Sequence, residues 1–307
     1  MKIFVIGGTG FLGQYLCRAL SAEGHGLTIL ARSVTDTESF GKTVRIIRGD
    51  PTRQGGWQEF LVGHDTVINL AGASIFKLWT RRVRKEILES RVVSTQNIVN
   101  ILKEIGDRNI QFLNASGIGY YGYCGDDIID EGSPAGNTFL ASVAQSWESA
   151  ARQAEVTGIR VVQCRFGIIL GRNGGAFSHM LPLFRFRLGA TWGRGEQWFS
   201  WIHEEDVVRA ISFLLERKEI RGPVNFTAPN PVTNLEMTQT LNNLLRKGPY
   251  IKKMPKWFFR LIFGELSGVF LEGQKVLPRV LQQNDFTFQF HTFDEAVRDL
   301  IPICFQK

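Results

Sequence analysis

A glycine-rich segment near the start of the sequence, Gly7-Gly8-Thr9-Gly10-Phe11-Leu12-Gly13, indicates the class of fold. An apolar run at residues 3–6, typical of a buried strand, leads into it, and a helical pattern from Phe11 to Glu23 follows. The glycine spacing satisfies both G-x-x-G-x-x-G and G-x-G-x-x-G, and a dinucleotide site requires this placement between a strand and a helix. Glycine permits a tight turn and the close approach of a pyrophosphate, which then lies at the positive end of the helix. The stretch therefore predicts a dinucleotide-binding loop.

Apolar, strand-like runs alternate with helical patterns through the first half of the chain. The runs lie at residues 27–30, 44–47, 66–70, 110–114 and 160–165, and the helical patterns at about 80–105 and 139–155. Strands separated by helices pair in parallel, because parallel neighbours need long crossover connections. Near-continuous apolar runs are expected where helices cover both faces of the sheet. We expect an α/β fold, a doubly wound parallel Rossmann sheet with a smaller, mostly helical C-terminal substrate region.

The second half of the chain is less regular than the first. Helices are predicted at about residues 204–216 and 235–246. We expect residues 1–170 to form the dinucleotide-binding domain, with segments at about 197–230 returning to it, and residues 171–307 to form the smaller domain. The tail from about residue 250 is rich in Phe, Leu and Lys, as in a small helical cap.

Composition limits the classes of protein to consider. The chain has 307 residues, of which 44% are hydrophobic and 21% charged, so disorder and a coiled coil are disfavoured. Its net charge of +7 is compatible with nucleic acid, an anionic membrane or a phosphorylated small molecule as a partner. The charge is spread along the chain, and its densest run, between Arg81 and Lys85, is typical of a solvated helix face. We therefore expect a small-molecule partner and neither nucleic acid nor membrane.

The cysteines lie far apart in the sequence. They are Cys17, Cys124, Cys164 and Cys304, and they form no CxxC pair. Neither a zinc ribbon nor a redox dithiol is indicated, and no metal site is predicted. Separated thiols suit a reducing compartment, and no apolar run reaches the ~18 residues that a membrane span needs. The sequence predicts a cytoplasmic protein.

The end of the second strand distinguishes between the two nicotinamide cofactors. NAD-binding proteins place an acidic residue there, on the ribose hydroxyls. This chain has Arg32 and no acid before Asp36, and a guanidinium pairs well with a 2′-phosphate. We expect NADP(H), the alternative being that Arg32 is an ordinary solvated arginine. Asp50 is expected at the adenine end, and the small residues of Leu70-Ala71-Gly72 would let the backbone approach the cofactor.

Five stretches resemble the extended short-chain dehydrogenase/reductase superfamily. They are residues 7–13, 69–72, 115–122, 200–203 with Asp206, and 271–278. Within the superfamily the chain is similar to the atypical NAD(P)-dependent epimerase branch, which carries a C-terminal domain of unknown function, and the last stretch is specific to this branch. The resemblance covers essentially the whole chain. It implies NADP(H) contacts at Arg32, Leu70, Ala71, Glu86, Arg91 and the backbone near Ile169. For Glu86 and Arg91 the alternative is an ordinary ion pair on a helix surface.

The resemblance also implies a catalytic serine. Working members of the superfamily combine a Ser or Thr after the fifth strand with a Tyr-x-x-x-Lys pair on the following helix. A tyrosine has an unperturbed pKa of about 10, and a lysine on the same helix face lowers it. This chain has Ser116, but it reads Phe139 and Val143 where the tyrosine and lysine are expected. Neither side chain ionises, so the usual proton transfer lacks its groups.

Tyr120 and Tyr121 are candidate substitutes. They lie shortly after Ser116 in a glycine-rich loop at the carboxyl end of a strand, where doubly wound folds bind ligands. Either could donate a proton to a carbonyl, or form an aromatic wall of the pocket instead. His203 could titrate near neutrality. We favour a structural interpretation in which His203 and Asp206 fix the loop before a helix, since Asp is a natural cap.

Two functional hypotheses follow. The first is an NADP(H)-dependent oxidoreductase or epimerase acting on a small carbonyl or sugar-nucleotide-like substrate, with Ser116 and Tyr120 or Tyr121 polarising the carbonyl. The second is a non-catalytic NADP(H)-binding protein, a redox sensor or regulator, which the missing tyrosine and lysine favour. The fold alone does not choose between them. The chain is expected to act as a monomer or a homodimer.

Overall fold

A parallel sheet of seven strands forms the centre of the protein in the computed structural model, which describes residues 1–33, 40, 44–186, 189–245 and 252–301. Asp36 and Cys304 lie outside the described residues. The strands are Lys2–Ile6 (β1), Gly26–Ala31 (β2), Val44–Arg48 (β3), Thr66–Asn69 (β4), Gln111–Gly117 (β5), Ile128–Ile129 (β6), Arg160–Phe166 (β7), Ile168–Gly171 (β8), Ala190–Trp192 (β9), Trp198–Phe199 (β10), Trp201–His203 (β11), Gly222–Phe226 (β12), Val232–Thr233 (β13), Lys252–Met254 (β14) and Lys275–Val276 (β15). The helices are Phe11–Ala22 (α1), Arg81–Ile105 (α2), Phe139–Arg152 (α3), Gly175–Arg185 (α4), Glu204–Glu216 (α5), Asn234–Leu244 (α6), Lys256–Phe263 (α7), Ser267–Leu271 (α8), Arg279–Gln283 (α9) and Phe293–Leu300 (α10).

The strand order in this sheet is β12-β7-β5-β4-β1-β2-β3, and every neighbouring pair is parallel. The chain runs outward from β1 to β3 and continues on the other side of β1 with β4, so the order reverses next to β1. In such sheets ligands bind outside the carboxyl ends of the strands at this reversal. The predicted doubly wound fold is confirmed.

Alternate residues of β1 pack on opposite faces of the sheet. Ile3 and Val5 join the apolar cluster that includes residues of α1 and α5. Phe4 and Ile6 join the cluster on the other face, which includes residues of α2. Both faces are therefore covered, which explains why the strand is apolar at consecutive positions rather than at every second one. The glycine loop consequently starts from a strand that is fixed on both sides.

The C-terminal region interleaves with the sheet. β12 is an edge strand of the main sheet, α5 packs against α1, and the parallel pairs β11–β8 and β15–β6 connect later segments to earlier ones. A third apolar cluster joins Leu170, Trp201, Met237 and Phe293 from β8, β11, α6 and α10. The division of the chain at residue 170 stays a prediction.

His203 and Asp206 attach α5 to a later segment of the chain. His203 caps the helix, because its ring Nδ1 accepts a hydrogen bond from the Glu205 N–H at 3.1 Å. The buried carboxylate of Asp206 accepts hydrogen bonds from the backbone N–H groups of Gln289 (2.7 Å) and Phe290 (3.0 Å). The expectation that the aspartate is the cap is wrong, because the histidine already occupies the cap position three residues earlier.

The fold holds His203 in its neutral form. Burial lowers the pKa of His203 to about 4, although the charge of Asp299, whose Oδ2 lies 3.3 Å from Nε2, acts in the opposite direction. The ring also stacks on Phe290, with a centroid distance of 3.8 Å. A proton on this imidazole is therefore disfavoured in the folded state.

We predict that protonation of His203 destabilises the fold between pH 6.5 and about pH 4. The unfolded chain binds the proton more tightly than the folded chain in this window. The free energy of unfolding therefore falls as the pH falls, by roughly 3 kcal/mol at most. His203→Asn removes the titrating ring and keeps a side-chain acceptor for the cap. Urea unfolding at a series of pH values should show a shallower decrease in the variant, and equal slopes would contradict the prediction.

Candidate functional site

Backbone geometry explains why the loop after β1 is built from glycine. Gly7 has a φ of +80°, which favours glycine, and a Cβ there would lie 2.9 Å from the carbonyl carbon of Leu70. A Cβ on Gly13 would lie 2.6 Å from the Cα of Gly8, so α1 packs this closely only without a side chain. No side chain of the described residues caps α1 at Gly10, and its first turn carries no acid. The positive end of the helix is therefore open to an anion.

A cavity of about 820 Å³ lies over this loop and the carboxyl ends of β1 to β4, and we call it the cleft. Its walls include the predicted cofactor residues Gly7, Thr9, Gly10, Arg32, Asp50, Leu70, Ala71, Gly72 and Glu86. Phe11, Arg91 and Ile169 line a second cavity beside it, and Gly8, Leu12 and Gly13 line neither. The structure thus brings predicted positions from five separate segments to one place.

The end of the cleft near β2 and β3 is basic. Asp50 accepts hydrogen bonds from the N–H and the hydroxyl of Thr52, at 2.9 and 2.7 Å. Burial raises the pKa of Asp50, but these bonds and the charges of Arg53 and Arg32 outweigh it, so the net pKa is lowered. Arg32 and Arg53 therefore both lie near the same carboxylate at the cleft wall. Sequence analysis did not identify Arg53, although its position just after Asp50 at a strand end was a usable signal.

Arg91 and Glu86 do not pair with each other. Glu86 is exposed and forms its ion pair with Lys77 at 3.2 Å. The Arg91 guanidinium donates to the Ile87 carbonyl at 3.0 Å and lies against Gly72, where a Cβ would be 3.1 Å from its Cζ. Within the described part of the chain no carboxylate forms an ion pair with Arg91, and burial lowers its pKa to about 10. Arg91 is therefore a partly desolvated cation without a protein counter-charge.

The second cavity, which we call the chamber, has a volume of about 370 Å³. Neighbouring residues line the two cavities: Gly10 and Phe11, Ser74 and Ile75, and Ser90 and Arg91. Apolar side chains form most of the chamber wall, among them Phe11, Phe76, Trp79, Leu140, Trp147, Phe166 and Ile169. Ser116, at the end of β5, also lines the chamber. The cleft and the chamber are therefore adjacent, with Arg91 at their boundary.

Ser116 belongs to a buried polar network. Its hydroxyl donates to Oε1 of Glu148 at 2.7 Å, and Arg165 binds both oxygens of that carboxylate through Nε and Nη2, each at 2.8 Å. Nη1 of Arg165 donates to the Tyr121 hydroxyl at 2.8 Å, and that hydroxyl donates to Asn225 at 2.7 Å. Burial opposes the charge on Arg165, but its bonds to Glu148 raise its pKa overall. The proton of Ser116 is thus directed at a fixed carboxylate.

Two sequence-family profiles match the chain. The profile of the NAD dependent epimerase/dehydratase family matches residues 3–226, and that of a domain of unknown function, DUF1731, matches residues 254–300. The chain belongs to the NAD dependent epimerase/dehydratase family. The family resemblance read from the sequence is confirmed.

Relatives within this family span nearly the whole chain. The epimerase family protein YfhF of Bacillus subtilis is 35% identical over 303 residues, which cover 98% of each chain. The crystal structure of human epimerase family protein SDR39U1 (isoform 2) with NADPH has a TM-score of 0.84 and 31% identity, covering 98% of this chain and 99% of that chain. The UDP-glucose 4-epimerase of Thermus thermophilus in complex with NAD has a TM-score of 0.78, 19% identity and 97% coverage of each chain. That last likeness shows a common fold alone.

The two tyrosines predicted as proton donors, Tyr120 and Tyr121, do not line the chamber. Tyr121 is buried, and its hydroxyl donates to Asn225 and accepts from Arg165. Burial raises the pKa of Tyr121 to about 12, although Arg165 acts in the opposite direction. The ring of Tyr120 lies 3.6 Å from Cζ of Arg165. Both rings therefore pack against the guanidinium of Arg165. Of the tyrosines in the described residues, the one that lines the chamber is Tyr123, which sequence analysis did not identify.

The face of α3 toward the chamber carries no ionisable group among its described residues. The side chains there are Leu140, Val143, Ala144 and Trp147. Phe139 lies outside the chamber wall, with its ring 5.0 Å from that of Trp79. Of the expected pair, Val143 lines the chamber and Phe139 does not, whereas both Leu140 and Ala144, one residue further along, line it. In either register the side chains in place of the tyrosine and lysine of the superfamily have no ionisable proton.

The family-specific stretch 271–278 contributes to the site. Glu272 and Gln274 line the chamber, and Gln274 donates to the Gly122 carbonyl. Burial and the charge of Glu272 raise the pKa of Tyr123. Sequence analysis singled out this stretch but assigned no role to its side chains, although a branch-specific acidic residue was a usable signal.

Among the described residues, no three His, Cys, Asp or Glu side chains lie close enough together to hold a metal ion. Cys17, Cys124 and Cys164 are free thiols. No described helix has both the length and the apolarity that crossing a bilayer requires.

We predict that Glu148→Gln destabilises the protein by about 3 kcal/mol, because it leaves the buried charge of Arg165 without its partner. Glu89→Gln is the matched control on α2. Glu89 is exposed and lies 3.7 Å from Lys85, and such a pair contributes less than about 1 kcal/mol. Urea unfolding measures both. Equal losses in the two variants would mean that the buried pair does not hold this part of the fold.

Proposed function

We propose that the protein is an NADP(H)-dependent oxidoreductase or epimerase that acts on the carbonyl or alcohol group of a small molecule held in the chamber. The observation that carries this proposal is the position of Arg91. Its guanidinium lies against Gly72 of the cleft, lines the chamber, and has no carboxylate partner within the described residues. A desolvated cation without a counter-charge is costly, so the boundary of the two cavities favours an anionic or strongly polar ligand.

The residues of the cleft fit a phosphate-bearing dinucleotide. The uncapped N-terminus of α1 and the glycine loop offer N–H groups to a pyrophosphate, and Arg91 offers a guanidinium. The crystal structure of the related human SDR39U1 contains NADPH, which supports the same cofactor for the present chain. When bound, a nicotinamide dinucleotide supplies or removes a hydride. The chain's own residues then have to position the substrate and handle the proton.

The basic end of the cleft favours NADP(H) over NAD(H). Arg32 and Arg53 place two guanidiniums near the ribose position, and the carboxylate of Asp50 is already bonded to Thr52. A 2′-phosphate would find two planar donors there. Among the described residues, an unphosphorylated ribose would find no carboxylate at the end of β2, where NAD-binding proteins place an acid.

Ser116 is the group of this chain that we assign to the reacting oxygen of the substrate. Its own proton is donated to Glu148, so its oxygen is free to accept a hydrogen bond from a substrate hydroxyl. Arg165 keeps the carboxylate in place, and Tyr120 and Tyr121 support Arg165. The apolar walls exclude water from the serine.

A non-catalytic protein that senses NADP(H) is the second candidate. The observation that favours it is that α3 lines the chamber with Leu140, Val143, Ala144 and Trp147 and, among its described residues, with no ionisable side chain. Such a protein would bind the cofactor in the cleft without turnover. Cofactor binding alone does not separate the two functions, so turnover has to be measured.

The remaining expectations stay proposals. We propose that residues 1–170, with segments at about 197–230, hold the cofactor, and that the rest of residues 171–307 encloses the substrate. The separated cysteines favour a reducing, cytoplasmic location. The protein would act as a monomer or a homodimer.

We predict that Arg32→Ala and Arg53→Ala each weaken NADPH binding about tenfold and leave NADH binding nearly unchanged, since only NADPH carries a 2′-phosphate. Arg45→Ala is the matched control, because Arg45 is exposed on β3 with its guanidinium 4.5 Å from the Phe60 ring and away from the cleft wall. Isothermal titration calorimetry gives the affinities. Tighter binding of NADH than of NADPH by the unmodified chain would refute the assignment.

We predict that Ser116→Ala lowers NADPH-dependent turnover about a hundredfold and leaves the affinity for NADPH unchanged. Ser146→Ala is the control, since Ser146 is exposed on α3 and donates to the Ser142 carbonyl. Absorbance loss of NADPH with a panel of carbonyl compounds provides the measurement. If NADPH binds but no compound is reduced, and no alcohol is oxidised with NADP⁺, the sensor is the correct function.

A further inference from the structure

The chamber differs in polarity from the cleft beside it. Its wall is mostly aromatic and aliphatic, and its charged residues among the described ones are Arg91, toward the cleft, and Glu272, at the outer end. The stretch of α3 that would carry a tyrosine and a lysine presents Leu140 and Ala144 instead. The wall also carries Tyr123, Thr138 and Gln274, of which Thr138 already accepts from the Ala141 N–H and Gln274 already donates to the Gly122 carbonyl. A wall of this kind offers few free donors or acceptors to the hydroxyl groups of a sugar.

The chamber continues into a groove of about 980 Å³, and the two share Trp79, Tyr123, Thr138 and Glu272. This groove is therefore a place where a nucleotide attached to a sugar in the chamber could lie. Its two arginines are already neutralised, since Arg84 pairs with Glu265 and Arg260 pairs with Glu272 at 3.6 Å.

These ion pairs make the groove a poor site for a pyrophosphate. A pyrophosphate there would compete with two carboxylates for the same guanidiniums and would be repelled by both. Glu272 also lines the chamber, so the repulsion begins where a sugar would join its nucleotide. The described arginines and carboxylates of the groove balance, so the groove does not attract the phosphorylated part of a sugar nucleotide, and the chamber wall suits an uncharged ligand.

Ser116 restricts the polar group that the chamber accepts. Its hydroxyl donates to Glu148 at 2.7 Å, which leaves its oxygen as an acceptor for a substrate O–H. One hydroxyl on an otherwise apolar molecule therefore satisfies the site. A ligand with several hydroxyl groups would leave the others without partners against the apolar wall.

We propose that the chamber takes an uncharged, apolar secondary alcohol or the corresponding ketone, and that it excludes sugar nucleotides. This rests on the proposed oxidoreductase function. In the oxidation, the carbinol C–H bond breaks and its electron pair leaves as a hydride to NADP⁺, which is reduced to NADPH. The hydroxyl proton passes to the oxygen of Ser116 while the proton of Ser116 passes to Glu148, and a C=O bond forms. Reduction of the ketone is the reverse of these steps.

The test uses binding to the full-length chain saturated with NADPH, with cyclohexanol, 1-phenylethanol and borneol as alcohol probes and UDP-glucose as the sugar nucleotide. An alcohol and NADPH cannot react, so the titrations measure binding alone. Ala144→Leu fills part of the chamber and should weaken binding of the alcohols about tenfold or more. Leu140→Gln, which keeps the volume and adds an amide, is a second chamber variant. Arg84→Gln changes the groove and is the control, and it should leave alcohol binding within about twofold.

Each outcome decides the proposal. Saturable binding of the alcohols, weakened by the chamber variants and not by Arg84→Gln, with no binding of UDP-glucose, supports it. Binding of UDP-glucose that Arg84→Gln weakens overturns it. If no probe binds to protein that NADPH raises in melting temperature, the substrate class is wrong while the cofactor assignment stands. If NADPH gives no stabilisation, the proposed function itself fails.

Discussion

Glu148 and Arg165 face each other in bidentate geometry where α3 packs against the carboxyl-terminal ends of β5 and β7. Removing both charges from water costs several kcal/mol per ion, so the pair persists only if its remaining polar atoms are also satisfied. Ser116 and Tyr121 meet this requirement, each with a hydroxyl group. The burial of one ion pair thus fixes the serine at the end of β5, and with it the inner wall of the chamber.

The same network determines where the C-terminal region lies. Asn225, which accepts from Tyr121, donates to the Leu277 carbonyl at 3.0 Å. Glu131 accepts hydrogen bonds from the backbone N–H groups of Asn225 and Val280, at 3.0 and 3.2 Å. These bonds hold the segment that brings Glu272 and Gln274 to the chamber. The region matched by the domain of unknown function is therefore part of the site and not an appendage to it.

Local constraints could be predicted from the sequence, whereas tertiary ones could not. The loop from Gly7 to Gly13 was predictable because a turn, a close backbone approach and a helix start all act within a few residues. Glu148 and Arg165 are 17 residues apart on a helix and a strand, so only packing brings them together.

Two further features of the site depend on the direction in which a side chain points. The spacing of residues along the sequence does not determine that direction. Tyr121 and Tyr123 point to different places because the 3₁₀ turn ends at Gly122, whose φ of +71° redirects the chain. On α3, the cap at Thr138 sets the rotation of the first turn, which turns Leu140 rather than Phe139 toward the chamber.

The aliphatic pair on α3 changes how the site can select a ligand. A tyrosine and a lysine in the chamber wall would need polar partners or water, whereas Leu140 and Ala144 need neither, so the wall can stay dry. Where the wall is dry, the low dielectric strengthens the hydrogen bond from Ser116 to Glu148. Selection then depends mainly on apolar fit, which discriminates by only about 1–3 kcal/mol per methylene group. We therefore expect graded selectivity among related apolar compounds, in contrast to the near-absolute selectivity of a site that reads several hydrogen bonds.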